Sequence, residues 1–183
     1  GRVQAVKCDV TRRDDVDLAL SAHLERFGRL DAVVDSAGIQ RYGTLETTTD
    51  SDWDEVMNVN LRGAFQVARA CIGALKVTRG SLTLVASVQS FATQRNVLAY
   101  TVSKHALIGL VRSAAVDYAP HGVRFNAVCP GTVDTPMLQY AAALDPNPQA
   151  VLAACAQMHP LGRIAQPREV AEVIAFLSSE RAS

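Results

Sequence analysis

The order of apolar runs and chain breakers limits what this chain can fold into more than any other feature. Short apolar runs at Val3–Cys8, Leu30–Asp35, Ser81–Ser87 and Gly122–Val128 alternate with longer stretches of helical period. Val16, Leu20 and Leu24 form one stripe of a helix predicted over Arg13–Phe27, with Gly28 as its stop. A second helix opens near Trp53 behind Thr49, Asp50 or Ser51 and resumes through Leu61, Phe65, Ala68, Ile72 and Leu75. Ala99–Tyr118 is a third, ending before Pro120, and Pro167 opens a last one with Val170, Ile174 and Leu177 on its inner face. Strands that are apolar throughout need cover on both faces, which is the signature of a parallel sheet. The expected fold is α/β, a doubly wound parallel sheet that takes its ligand beyond the carboxyl ends of its strands.

No repeat, low-complexity tract or composition shift divides the 183 residues, so residues 1–183 read as one domain. Within it, residues 136–160 form a helical excursion interrupted by Pro146 and Pro148. Eighteen basic residues balance eighteen acidic ones, which gives no electrostatic reason to expect nucleic acid or an anionic membrane as partner. No apolar stretch is long enough to span a bilayer, and nothing resembles a signal peptide. Cys8, Cys71, Cys129 and Cys155 are scattered, and His23, His105, His121 and His159 stand singly. That spacing suits free thiols in a reducing cytoplasm and no metal site.

Chemistry is concentrated in Ser87, Tyr100 and Lys104. Tyr100 and Lys104 are four apart in a helical segment and share a face. Ser87 closes the preceding strand, at the edge where such a sheet holds its ligand. Hydride reduction of a carbonyl leaves an oxyanion that needs a proton, and alcohol oxidation needs the reverse. A free phenol titrates near ~10, too high for a base at neutral pH. An ammonium ~4 Å away at an effective dielectric of ~20 contributes roughly 4 kcal/mol, or about three pKa units. Lys104 is therefore expected to bring Tyr100 near neutrality, while Ser87 holds the substrate oxygen. A Tyr-x-x-x-Lys pair alone is a weak signal, because surface helices carry it by chance. His105 is turned about 100° from Lys104 along the helix and reads as packing.

The run Tyr100-Thr-Val-Ser-Lys104, with Ser87 thirteen residues earlier, resembles the signature of the short-chain dehydrogenase/reductase family. Cys8-Asp9-Val10, Asp35-Ser36-Ala37-Gly38, Asn58-Val59-Asn60-Leu61, the run from Asn126 to Met137 and Pro160-Leu-Gly-Arg163 match further family stretches in order and spacing. The resemblance implies a Rossmann-like fold and an NAD- or NADP-dependent oxidoreductase acting on a small-molecule alcohol or ketone. It implies Tyr100 as general acid/base, Ser87 as the residue orienting substrate, Lys104 as phenol activator and ribose ligand, and Asn60 as holder of a relay water. Cofactor contacts would come from Asp9 and Val10 at adenine, Ala37 and Gly38 at its ribose, and Pro130, Gly131, Thr132, Val133 and Thr135 at nicotinamide. Asp9 and Thr135 also read as helix caps, and Asn60 as a helix-starting residue. The excursion over 136–160 would be the substrate lid, and the helices around Leu61–Leu75 and Ala99–Tyr118 would build a dimer or tetramer.

Two departures from the family pattern stand out. Asp35-Ser36 replaces an Asn-Asn pair, exchanging amides for an acceptor-only carboxylate and a hydroxyl. The family's opening strand, Gly-rich turn and helix, and its closing strand, have no counterpart in these residues. The fold is therefore expected to be incomplete at both ends, and this stretch alone to bind cofactor poorly. Gln89 and Gln94, with Arg95 and Asn96, offer polar contacts to a hydroxylated substrate and favour a sugar, polyol or cyclic diol. A 3-oxoacyl thioester reductase, and a truncated non-catalytic paralogue serving as an oligomer partner, stay open beside that reading. Lys104 weighs against a cofactor-free dehalogenase.

Overall fold

The computed structural model describes residues 3–183. Three strands, β1 (Ala32–Asp35), β2 (Ser81–Val85) and β3 (Arg124–Val128), pair in parallel in that order. Seven α-helices lie among the described residues: α1 (Arg13–Phe27), α2 (Asp50–Met57), α3 (Ala64–Thr78), α4 (Leu98–Tyr118), α5 (Pro136–Ala143), α6 (Pro148–Gln157) and α7 (Pro167–Ser178). The architecture is the doubly wound, Rossmann-like α/β layer that the apolar strands require.

Strand register decides which side chains meet which helices. Val33, Leu82 and Phe125 are neighbours across the sheet, as are Asp35, Leu84 and Ala127. Alternation puts these six on one face, where Leu75 of α3 and Leu107 and Val111 of α4 join Leu82, Leu84 and Phe125 in the core. Val34, Thr83 and Asn126 point the other way, toward α7. There Ser81 Oγ reaches the Ser178 carbonyl at 3.5 Å, and the Arg124 guanidinium donates to the carbonyls of Leu177 (2.6 Å) and Ser179 (3.0 Å). A cation on the last carbonyls of a helix satisfies orphan acceptors and favours the dipole, which fixes α7 against the sheet.

Local chemistry sets the helix ends. Thr49 Oγ1 accepts from the Asp52 N–H at 3.0 Å and starts α2. Asn147 does the same for α6 before Pro148, and Gln166 and Glu169 form a reciprocal capping box around Pro167. Gly28 at φ 76° ends α1, in the left-handed region where glycine carries no Cβ penalty.

Three expectations need correction. Residues 3–8 form no strand, and Val3 is 86% exposed. A strand persists only beside a partner, and β1 has β2 as its one neighbour among the described strands. The strands at Leu30 and Gly122 begin two residues later, and β2 ends at Val85, so Ser87 lies just past it. Finally, α2 and α3 are joined by a π-helical stretch at Asn58–Gly63, where a plain helical period was read.

Gly80 is where backbones approach most closely. A Cβ there would stand 2.3 Å from the Asp31 carbonyl oxygen and 2.8 Å from Leu75 Cδ2. Gly80→Ala must push the link between α3 and β2 away from the Asp31 backbone before β1 and should destabilise the protein by about 1–3 kcal/mol in chemical denaturation. An unchanged midpoint would contradict this packing.

Candidate active site

The carboxyl ends of all three strands face one cavity of about 1070 Å³. Ser36 and Gly38 follow β1, Val85 ends β2 with Ala86 and Ser87 just past it, and Pro130, Gly131 and Thr132 follow β3. Tyr100 and Lys104 enter from the first turns of α4, and α5 and α6 roof the space. Ser87, Gln89, Gln94, Tyr100, Lys104, Gly38, Pro130, Gly131, Thr132, Val133 and Thr135 all line it, whereas Asp9, Val10, Ala37 and Asn60 do not.

Ser87 caps a short 3-10 turn, its Oγ accepting from the Gln89 N–H at 3.1 Å. The Tyr100 phenol lies beside the same hydroxyl, which works to lower its pKa. The Lys104 ammonium is 4% exposed, lies 5.6 Å from the Tyr100 ring centroid and donates to the Val85 carbonyl at 2.8 Å. The Ser90 hydroxyl in turn donates to the Lys104 carbonyl at 2.8 Å, fastening α4 to the turn after β2.

Burial governs the protonation of both groups. It raises the Tyr100 phenol above its ordinary range, with the Ser87 hydroxyl working the other way. It brings the Lys104 ammonium down to about 8, against the opposing pull of Asp35 and then Cys129. Burial is thus the largest influence on each of the two groups.

Asn60 is 1% exposed, and its side chain is fully engaged. Oδ1 accepts from the Ile39 N–H at 2.8 Å, and Nδ2 donates to the Ile39 carbonyl at 2.9 Å and to Ser103 Oγ at 3.0 Å. The residue thereby holds the loop after β1 against α4. Gly38 faces the same corner: a Cβ there would sit 3.5 Å from Lys104 Nζ and 3.6 Å from Asn60 Oδ1. Asp9 sits in its own turn, Oδ1 accepting from the N–H and hydroxyl of Thr11. The Val10 carbonyl accepts from Gln66 Nε2 at 2.8 Å.

The loop after β3 is largely committed. The Thr132 N–H donates to His159 Nε2 at 3.2 Å, its carbonyl accepts from the Ala165 N–H, and Thr135 Oγ1 caps α5 at Leu138. The Val133 N–H and the Thr132 hydroxyl are left without a partner among the described residues. With Gly38, Tyr100 and Lys104 these donors border a cleft suited to a flat, polar ring and its ribose, so the residues present fit a nicotinamide nucleoside. No group of three His, Cys, Asp or Glu side chains placed to hold a metal occurs among the described residues. No helix is long and apolar enough to cross a membrane. His105 faces away, its Nδ1 on the Thr101 carbonyl at 3.0 Å.

Sequence reasoning overlooked Gln40, Tyr42 and His159. Their loops carry no motif; pairing brings them in. The Gly43 N–H donates to the Asn96 carbonyl at 2.8 Å, and Asn96 takes φ 61°, a left-handed conformation that asparagine tolerates. The proline pair at 146 and 148 marked a break in the lid, though nothing marked the inward face of Met137, Leu138, Val151, Cys155 and Met158.

The family model described as enoyl-(acyl carrier protein) reductase matches residues 1–183. The L-fucose dehydrogenase of Oryctolagus cuniculus is 37% identical over 96% of this chain and 62% of its own length. The 2-(R)-hydroxypropyl-CoM dehydrogenase of Xanthobacter autotrophicus is 39% identical over 100% of this chain and 73% of its own. Among solved structures, ligand-free Thermoplasma acidophilum aldohexose dehydrogenase superposes with a TM-score of 0.94 at 37% identity, covering 100% of this chain and 73% of that one. ElxO with NADP bound superposes with a TM-score of 0.84 at 28% identity, covering 94% of this chain and 69% of that one. The chain thus spans about two thirds of the length of these relatives. The match over its whole length and the site geometry agree: the chain belongs to the short-chain dehydrogenase/reductase family of NAD(P)-dependent oxidoreductases.

Proposed function

We propose that the protein interconverts a secondary alcohol and a ketone, with Tyr100 exchanging the proton. The observation that carries this reading is that Ser87 and Tyr100 stand side by side in the cavity wall, with Lys104 one helical turn along. A bound nicotinamide supplies or accepts the hydride. In the reductive direction the Tyr100 phenol gives its proton to the carbonyl oxygen, while Ser87 holds that oxygen in place. In the oxidative direction the phenolate takes the hydroxyl proton. The Lys104 charge favours the phenolate, and its two remaining N–H donors are free to meet a ribose. The Thr132 hydroxyl, Val133 N–H and Gly38 backbone would hold the rest of the nucleoside. Because the Asn60 side chain is spoken for, any relay water would rest on its backbone carbonyl. NAD and NADP would meet these residues alike, since they differ at a ribose remote from the nicotinamide.

A hydroxylated substrate of sugar or polyol size is the favoured class. Gln40, Gln89, Gln94 and Asn96 bring amides to one wall, and Gln89 is held by the Thr101 hydroxyl at 3.0 Å. Two relatives carry the names of sugar dehydrogenases. The opposite wall, with Met137, Leu138, Leu144, Val151 and Met158, supports a second reading, a 3-oxoacyl thioester whose chain lies against the lid. As in the sequence reading, a homo-oligomer is the expected assembly.

Tyr100→Phe in the full-length protein should lower turnover by roughly 10²–10⁴ while leaving cofactor affinity, read by fluorescence titration, nearly unchanged. Near-wild-type turnover would remove Tyr100 from the mechanism. A panel of aldoses, polyols and 3-oxoacyl thioesters should give its highest kcat/KM on a polyhydroxylated compound; preference for the thioester would transfer the assignment to the second reading. Burial holds the Tyr100 proton, so alcohol oxidation should run faster at about pH 9 than at about pH 7, and ketone reduction the reverse. Parallel profiles in both directions would contradict a phenol as the titrating group.

A further inference from the structure

We propose that Asp35 is the counter-charge of Lys104, a positioning residue that keeps the buried lysine in its ammonium form. The proposal deepens the reading above and rests on its assignment of Lys104 as the charge beside Tyr100.

Asp35 is the last residue of β1 and only 8% exposed. Register puts its side chain on the same face as Leu84, which is the face that α4 covers. Its Oδ1 accepts from the Ala37 N–H at 2.9 Å, so the carboxylate also shapes the turn that brings Gly38 against Lys104 Nζ. Lys104 Nζ donates to the Val85 carbonyl, next along β2 from Leu84, the residue that pairs with Asp35. A lysine that is almost fully enclosed must either lose its proton or find an opposing charge. Val85 offers only a dipole, and Asp35 is the one carboxylate whose field reaches Lys104.

The surrounding groups support the same pairing. Lys104 is the charge that faces Asp35, and it counters the effect of burial on that carboxyl. From the N-terminal segment the Cys8 thiol faces Asp35, and from the end of β3 the Cys129 thiol faces Lys104. Burial and the nearby carboxylates push the Cys8 thiol up, so it does not supply a charge in place of Asp35. Asp35 and Lys104 make no direct ion pair, since Lys104 Nζ donates to Val85; the charges interact through space. An amide at position 35 would keep the acceptor for Ala37 and remove only the charge.

Asp35→Asn separates these effects. The sequence has three lysines, and Lys7 and Lys76 are exposed, so lysine labelled with carbon-13 at Cε gives a signal for Lys104 that Lys104→Met identifies. In the full-length, cofactor-free protein, Asp35→Asn should lower the pH at which Lys104 loses its proton by about one unit. Reciprocity demands that Lys104→Met raise the titration of the Asp35 carboxyl, followed by its own carbon-13 shift, by a similar amount. This second arm holds even if Asp35→Asn fails to fold. Unmoved titration of Lys104 in Asp35→Asn, or of Asp35 in Lys104→Met, overturns the proposal. With activity as a further readout, the alkaline fall of kcat/KM for alcohol oxidation should begin about one pH unit earlier in Asp35→Asn. A protein without dehydrogenase activity, yet with the two reciprocal shifts, would defeat the proposed function and leave the charge pairing standing.

Discussion

A lysine ammonium enclosed at the end of a parallel sheet has to be offset, and the way this chain does so orders everything near it. Lys104 reaches back from α4 to the Val85 carbonyl, just where β2 gives up its last ladder partner. That bond ties helix to strand and decides where the first turn of α4 stands. Tyr100, one turn earlier, is thereby carried to Ser87, which the chain places two residues past the strand. The Ser90 hydroxyl on the Lys104 carbonyl closes the same joint from the other side. A charge that is costly to bury thus serves as the fastening of the site as well as its electrostatic element.

The sequence made the layers legible because periodicity and breakers report burial directly. β2 is apolar enough to be central, and it is covered on both faces. Tyr100, Lys104, Ser87 and the loop after β3 fell on one cavity because strand ends and a helical i,i+4 pair have few other geometries. What stayed hidden depends on pairing across long separations. Residues 3–8 have the composition of a strand, yet composition cannot supply a neighbour. Gln40 and Tyr42 reach the rim only because Gly43 and Asn96 bond across 53 positions of chain, and the capture of the Thr132 N–H by His159 spans 27. The spacing of two residues says nothing about how much water either loses, and here that loss is the larger effect.

In the proposed reading, substrate choice rests on a cavity with two unlike walls. Amides and hydroxyls come from the segment after β2 and the Gln40–Tyr42 loop, whose backbone is fixed by the Gly43 and Asn96 bonds. The apolar side chains come from α5 and α6, short helices that own no fully buried apolar anchor beyond Ala142. A rigid polar wall can hold a hydroxylated ligand in register, because a misplaced partner leaves a desolvated group unpaired. An apolar wall on lightly anchored helices selects by volume, which discriminates weakly. The proposed function therefore sets the identity of a substrate's polar end more strictly than the length of any apolar tail.

Asn60 shows how the pieces cooperate. Its amide does not face the cavity; it clamps both backbone groups of Ile39 and the Ser103 hydroxyl, which itself donates to the Tyr100 carbonyl. The loop after β1 is thus held from α4, and Gly38 is pressed toward Lys104 on one side while Asp35 shapes the turn from the other. The π-helical stretch at Asn58–Gly63 is what turns Asn60 inward at the junction of α2 and α3, where a plain α-helix would place the residue differently. Distortion of one helix is thus the means by which the Asn60 amide reaches the loop after β1, whose turn Asp35 shapes beside Lys104.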